Sequence, residues 1–449
     1  MVTTIASALT QVKEDLPRMI ERHVMDFLSE HPDWSWRQRL LDPLTTTLLF
    51  TTQVLHGNTA ITHLPHLSGM NFTATAYCNA RTRLPLALLK AVSEGVTHEL
   101  LSESRADYRW RGHRVWKADG TSFSMPDTPE LQQRFGQPTG QLPGCGFPVS
   151  TLLILCDPAG FFAKALALPL QTHEASQITS LHEHLEPGDV LAYDRAACSY
   201  THLALLVQQK FHAIFRMHQR QIVNFRPRRK HAGGCSKKQR VGKPKSQWLC
   251  RLGQHDQLVR YFKPKAKPRW MSQQAYDALP PSLVVRELRY RVRRRGYRTT
   301  AVTLATTLLD PDKYPAAELA EQYLRRWEIE TSFQHLKTTM GMEVLKCRTV
   351  AGVLKELAVF VLVYNLVRLV MLRASQRQKA PPDRISFIDA LRWLCAARDA
   401  DQLLNLIVNP SRPDRVEPRV IKRRPKEYPL MKRPRHELRQ SLIKERLAA

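Results

Sequence analysis

The chain has 449 residues, 43% of them hydrophobic, enough for about three domains of roughly 150 residues each, and disorder throughout is excluded. Its 68 Lys and Arg outweigh 40 Asp and Glu, a formal net charge of +28, and the surplus is concentrated. Residues 218–298 carry 23 basic and 3 acidic side chains and residues 412–446 carry 13 and 5, which leaves the remainder formally neutral, so two segments are expected to meet a polyanion.

A membrane is the weakest polyanion partner. The most apolar stretch, Leu357 to Val367, runs eleven residues before Arg368 interrupts it, short of the about 20 that a spanning helix needs. The N-terminus lacks a basic start followed by an apolar run, so no secretory signal is expected. The eight cysteines are scattered with no C-x-x-C pair, which points to reduced thiols in a cytoplasm-like compartment and away from a zinc finger.

Apolar residues at three- and four-residue spacing predict helices in the first 90 or so residues, as in VKEDLPRMIERHVMDFL and LTTTLLFTTQVL. Two short helical stretches around Ser68-Gly69 have the shape of a helix-turn-helix, with Thr75, Tyr77, Arg81 and Arg83 on the second helix available to DNA, or else of an ordinary helical hairpin. From about residue 105 the pattern turns to strands: HRVWKADGTSF, PVSTLLILCD and GFFAKALALPL. A helix over HEASQITSLHEHL, the short buried strand DVLAYD, the helix YTHLALLVQQ and the strand FHAIFRM follow. This order describes a mixed α/β domain with an antiparallel edge. Residues 218–300 interrupt it with a Lys/Arg/Pro/Gly-rich segment holding weak strands at LVRYF and SLVVRELRYRVRR. The strand TTAVTLATTL and a long helix after Pro315 resume the earlier style, and further helices and a basic tail close the chain.

Three carboxylates stand out. Asp119 ends a strand before a glycine, Asp194 ends the short buried strand, and Glu330 lies inside the helix over 321–337. Acids at strand ends and on one helix face are where a sheet brings distant residues together, and such a trio can hold two divalent ions. Singly, each has a structural reading: a turn former, a helix cap, and an i, i+4 partner for Arg326. On a straight helix Tyr323, Arg326, Glu330 and Lys337 fall within an arc of about 60°, which sets a carboxylate among phosphate-binding groups.

The series Tyr323-x2-Arg326-x3-Glu330-x6-Lys337, with Trp327 directly after the arginine, resembles the signature of the type-four insertion-sequence transposases, a DDE group of bacterial mobile elements. The D-G-T at Asp119 and the D-R at Asp194 are similar to that family's as well, although Ala196 stands where many relatives have Gly. The resemblance covers about residues 105–350. It implies an α/β fold: a ribonuclease-H-like mixed sheet interrupted by a β-rich basic insertion, flanked by helical N- and C-terminal regions. It implies Asp119, Asp194 and Glu330 as a metal triad holding two Mg²⁺ ions, with Mn²⁺ as a substitute.

Tyr323, Arg326 and Lys337 would hold DNA phosphates, Arg195 would bind a phosphate or Asp194, and Trp327 would stack on an unpaired base or serve as a core aromatic. Trp248, Trp270 and Tyr297 are further candidates for a flipped base. The sequence itself is divided as 1–100, a helical DNA-binding region; 105–217 with 301–350, the catalytic core; 218–300, the insertion; 351–410, a helical region taken as the candidate dimer surface; and 411–449, the basic tail.

The implied activity is cleavage and strand transfer at terminal inverted repeats, cut-and-paste through a hairpin. Its partners would be double-stranded DNA, as element ends and target, and a second copy of the chain, in the bacterial cytoplasm at the nucleoid. A nuclease of the same fold that does not join, and a non-catalytic DNA-binding descendant, are the rivals.

Overall fold

A computed structural model describes residues 15–36, 39–104, 108–218, 221, 223–229, 244–291, 301–396, 406–410 and 430–448. Its centre is a ten-stranded sheet. A short β1 (Arg109–Trp110) pairs with β2 (His113–Ser124), and β3 (Val149–Cys156) and β4 (Phe162–Pro169) continue antiparallel from it. On the other side of β2, β5 (Val190–Tyr193) and β6 (His212–Arg216) run parallel to it. The order β4-β3-β2-β5-β6, three antiparallel strands and then two parallel ones, is a ribonuclease-H-like core. Antiparallel to β6 comes β10 (Ala301–Thr306), then β9 (Ser282–Arg291), β8 (Asp256–Phe262) and β7 (Ser246–Gly253). The strands of the basic segment thus extend the same sheet through β10.

The alternation of strand side chains sorts the sheet into two faces. Trp116, Ala118, Leu191, Tyr193 and Phe215 belong to the large rear core. Val115, Val190, Ala192, Ile214 and Leu304 form a smaller front core with Leu319 and Tyr323. Those last two come from α9 (Ala316–Arg325), the ninth helix after α1 (Asp15–Glu30), α2 (Pro43–Leu55), α3 (Leu64–Ser68), α4 (Ala74–Arg83), α5 (Leu86–Ser104), α6 (Pro129–Phe135), α7 (Tyr200–Gln208) and α8 (Gln273–Asp277). Helices α10 (Glu328–Gln334), α11 (Val350–Gln378), α12 (Phe387–Cys395) and α13 (Arg435–Ala448) complete the described chain.

The apolar run read as a core helix lies in α11, and 89% of that helix's most apolar window is buried inside the protein. Asn365, fully buried in α11, accepts from Phe162 N at 2.9 Å and donates to Thr97 Oγ1 at 2.9 Å, which joins α11 to β4 and α5. The seven cysteines among the described residues are free thiols.

Several expectations from the sequence change. HEASQITSLHEHL forms two 3-10 stretches, Glu174–Ser176 and Ile178–His184, instead of one α-helix. Ser176 and Ser180 donate their hydroxyls to carbonyls three residues back, at 2.8 and 2.6 Å, and such local bonds compete with the α-helical ladder. The turn around Ser68-Gly69 exists, with Gly69 at φ 67° closing α3, but the four residues offered to DNA do not act together. Tyr77 is fully buried and donates to Gln53 at 3.2 Å. Arg81 donates to the same Gln53 oxygen at 3.0 Å and lies over the Phe50 ring. Thr75 and Arg83 alone of the four are exposed.

Candidate active site

Asp119 lies within β2, not at its end: the strand runs on through Gly120 to Ser124, so the turn-former reading is corrected. The β2–β5 register is Val115↔Val190, Trp116↔Leu191 and Lys117↔Ala192. Continued two residues, past the end of β5 at Tyr193, that register puts Asp119 level with Asp194 on the front face, and the two carboxyls are near enough for the charge of Asp194 to act on Asp119. Asp194 does not cap the next helix, because Ser199 is the N-cap of α7.

The helix opposite is less regular than its sequence suggests. Helix α9 ends at Arg325 and α10 begins at Glu328, and between them Arg326 N and Trp327 N bond to the carbonyls of Tyr323 and Leu324, the tight i to i−3 pattern. A π-helical turn, His335–Thr339, then follows α10. Lys337 lies inside that π turn, where the spacing of a straight α-helix no longer holds, while Tyr323 and Arg326 reach Asp194 and Asp119 and Glu330 pairs with Arg326.

Arg326 occupies the centre. Its side chain is 3% exposed, against 22% for Asp119 and 49% for Glu330. It pairs with Asp119 Oδ2 and, at 3.8 Å, with Glu330 Oε1. Its Nε is buried without a hydrogen-bond partner. Asp119 Oδ1 accepts from Gly120 N at 2.9 Å. Burial pushes the Asp119 carboxyl above its ordinary range, opposed by the Arg326 charge and reinforced by Asp194. Asp194 Oδ1 accepts from the Tyr323 hydroxyl at 3.2 Å and lies 3.8 Å from Arg216, while Arg195 Nε stands 4.0 Å from Oδ2. Burial raises the Tyr323 phenol, which therefore stays protonated as a donor.

Three residues at this site had no motif to reveal them. Arg216 ends β6. Lys117, two residues before Asp119 and on the same face, is 6% exposed and pairs with Glu328 of α10 at 2.6 Å. A lysine in the apolar run RVWKA at the period of the front face was the available signal. Glu174 reaches the site from the rear: a Cβ on Gly120 would overlap its carboxylate, and it accepts from Tyr193 Oη at 3.1 Å.

Trp327 is half-buried at the helix break, its ring 5.9 Å from the Arg326 guanidinium carbon. Trp270 leans on His202 with ring centroids 5.1 Å apart, and Trp248 lies in β7 with its buried Nε1 unpartnered. Tyr297 lies outside the described residues. A cavity of about 570 Å³ adjoins the Lys117–Glu328 pair and reaches Arg325, His335 and Arg368, but its lining contains none of Asp119, Asp194 and Glu330.

Among the described residues no three His, Cys, Asp or Glu side chains are arranged to hold a metal ion. At the three acids, the Arg326 guanidinium stands between Asp119 and Glu330. Its position also shows that positive charge is accommodated there, and the acceptors around it are carboxylate oxygens, the ligand atoms a hard divalent cation takes.

A family profile described as Transposase DDE domain matches residues 110–366, more than half of the chain. Over 376 residues the chain is 25% identical to transposase InsG for insertion sequence element IS4 of Escherichia coli (strain K12), covering 79% of this chain and 78% of that protein. A cryo-EM structure of the piggyBac transposase synaptic complex with hairpin DNA superposes with a TM-score of 0.45 at 9% identity, covering 90% of this chain and 81% of that one. The chain belongs to the DDE transposase family, in its type-four insertion-sequence group, and is an enzyme of metal-dependent DNA phosphoryl transfer.

Proposed function

We propose that the chain cuts and joins the ends of its own insertion sequence, with Asp119, Asp194 and Glu330 as the metal-holding acids. The observation that carries this reading is the placement of Asp119 in β2 and Asp194 directly after the adjacent parallel β5, faced by the helical segment bearing Arg326 and Glu330. Two Mg²⁺ ions held by these acids, or Mn²⁺ in their place, would supply Lewis-acid stabilisation of the attacking and leaving oxygens. Arg326 then leaves Asp119 for a DNA phosphate, a bidentate acceptor that suits a guanidinium as well as a carboxylate does. Arg195 and Lys337 bind further phosphates, Tyr323 donates its protonated hydroxyl, and Trp327 stacks on an unpaired base.

The DNA substrate is the terminal inverted repeats and a target duplex, and the route is cut-and-paste through a hairpin, within a synaptic homodimer. Residues 105–217 with 301–350 form the catalytic unit and 218–300 its basic insertion. The helical 1–100 region assists DNA binding, 351–410 supplies the dimer surface, and 411–449 is a basic tail. The work takes place on the bacterial nucleoid in the cytoplasm.

The test is incubation of the full chain and Mg²⁺ with duplex DNA carrying the inverted repeats that flank its coding region. Nicks, hairpins and joined products are expected. Nicks without joined products would favour the nuclease reading, and bound but uncut DNA the non-catalytic one.

A further inference from the structure

We propose that Glu174 is a positioning residue, a buttress on the rear face of the sheet that sets the relative placement of Asp119 and Asp194. The inference rests on the reading of those two acids as catalytic.

The β2–β5 ladder ends at Lys117↔Ala192, two residues short of both acids. Beyond that couple no ladder pair joins the two strands, yet a shared site needs their separation fixed. Gly120 and Tyr193, each the chain neighbour of one acid, face the rear, because they share the alternation of Ala118 and Leu191. Glu174 meets both. Its carboxylate fills the space that any side chain on Gly120 would need, and its Oε2 accepts from Tyr193 Oη at 3.1 Å. One carboxylate therefore packs against the residue after the first acid and accepts a hydrogen bond from the residue before the second.

The buttress is itself held. Glu174 opens the 3-10 turn Glu174–Ser176. Within that turn the Ala175 carbonyl accepts from His202 Nε2 at 2.8 Å, and His202 Nδ1 accepts from Ser199 Oγ at 2.8 Å. Ser199 and His202 belong to the start of α7, which follows Asp194 directly in the chain. The loop runs from the Asp194 segment through α7 to Glu174 and back to Tyr193, a closed circuit behind the acids. Glu174 approaches from the face opposite to Asp119 and Asp194, so it supports the acids and is not a fourth ligand.

The test uses the full chain, duplex DNA with the flanking inverted repeats, and Mn²⁺ binding followed by paramagnetic resonance. Glu174→Ala should lower the cleavage rate about 100-fold, the scale of a misplacement near 1 Å, with DNA affinity unchanged and the Mn²⁺ midpoint shifted upward. Glu174→Gln keeps the shape and an oxygen acceptor, so it should restore most of both, and Tyr193→Phe should fall between the two. Gly120→Ala should impair the wild-type chain but add little to Glu174→Ala, because both act on one contact.

Wild-type rate and Mn²⁺ midpoint in Glu174→Ala would overturn the inference. So would a Glu174→Gln variant as defective as Glu174→Ala, which would mean that the charge acts directly. Asp119→Asn and Asp194→Asn serve as the separate control. If they still cut, the reading of the acids fails; if they are dead while Glu174→Ala is normal, the buttress alone fails.

Discussion

The two ends of one sheet bury carboxylates in opposite ways. In the inserted strands, Asp256 accepts two hydrogen bonds from Arg286, at 2.8 and 2.5 Å, and Arg286 is 1% exposed. Glu287, fully buried beside them, accepts from Gln257 at 2.8 Å and Tyr261 at 2.7 Å. Each of these acids has its own set of donors. At the other end, Asp119 and Glu330 share one guanidinium whose Nε lacks a partner, and both acids keep a path to solvent. A buried charge is tolerated in a fold when its partner is buried with it, and removing that partner is what costs stability. A site that must accept a cation and a phosphate keeps its acids reachable from solvent.

The sharpest test of that contrast lies in the three acids of the site. Asp119→Asn, Asp194→Asn and Glu330→Gln should each lower metal-dependent cleavage by roughly 10³-fold or more, with the thermal midpoint near wild type and end-DNA binding retained. Undiminished cleavage by any one of them would remove it from the triad. In the insertion the expected pattern is reversed. Arg286→Leu leaves Asp256 buried and unpaired and should cost about 3–5 kcal/mol of stability, read as a lower denaturation midpoint with the cleavage rate of the folded fraction preserved.

A further effect comes from the circuit behind the acids. Burial lowers the His202 imidazole from the ordinary 6.5 to about 4, so it stays neutral when folded. The unfolded chain takes up this proton as pH falls past 6.5 and the folded chain only near 4. The stabilisation is therefore complete above pH 6.5 and is lost between 6.5 and 4, by roughly 3 kcal/mol. His335, held to about 4 by burial and the Arg368 charge, titrates in the same window and sense. Urea unfolding at pH 7 and pH 4.5 should show a smaller difference for His202→Gln than for wild type; an equal difference would remove His202 as a source.

How far the sequence foretold this arrangement depends on the range of each signal. Asp119, Asp194 and the helix with Arg326 and Glu330 were legible because strand alternation and helical spacing are local and the signature adds fixed distances. Glu174 was not legible: its role depends on an absent side chain at Gly120 and a phenol at Tyr193, contacts made across 54 and 19 positions of sequence. Strand β7 was hidden for another reason. Its register slips between Trp248 and Cys250 and again between Arg251 and Gly253, and each bulge breaks the alternation by which a strand is recognised. Tyr77 and Arg81 misled in the opposite direction. Exposed helical residues and residues turned toward Gln53 look alike in sequence, since a buried tyrosine and a half-buried arginine need only an acceptor to be satisfied.

The smallest expected effect separates Lys337 from Arg326 on the same helical segment. Arg326 is buried against Asp119 and Glu330, so Arg326→Ala removes both a phosphate ligand and the charge that keeps those acids apart from each other's field. Lys337 lies in the π turn, where its backbone carbonyl accepts from Glu343 N at 3.2 Å and its side chain is only half-buried. Lys337→Ala should therefore act on DNA alone, reducing the slope of log affinity against log salt by about one with little change in the thermal midpoint. Arg326→Ala should change the salt slope and also the Mn²⁺ midpoint in the absence of DNA. If the two variants behaved alike in Mn²⁺ binding, the central guanidinium would be a phosphate ligand like any other, and the contrast between the two ends of the sheet would have to rest on the acids alone.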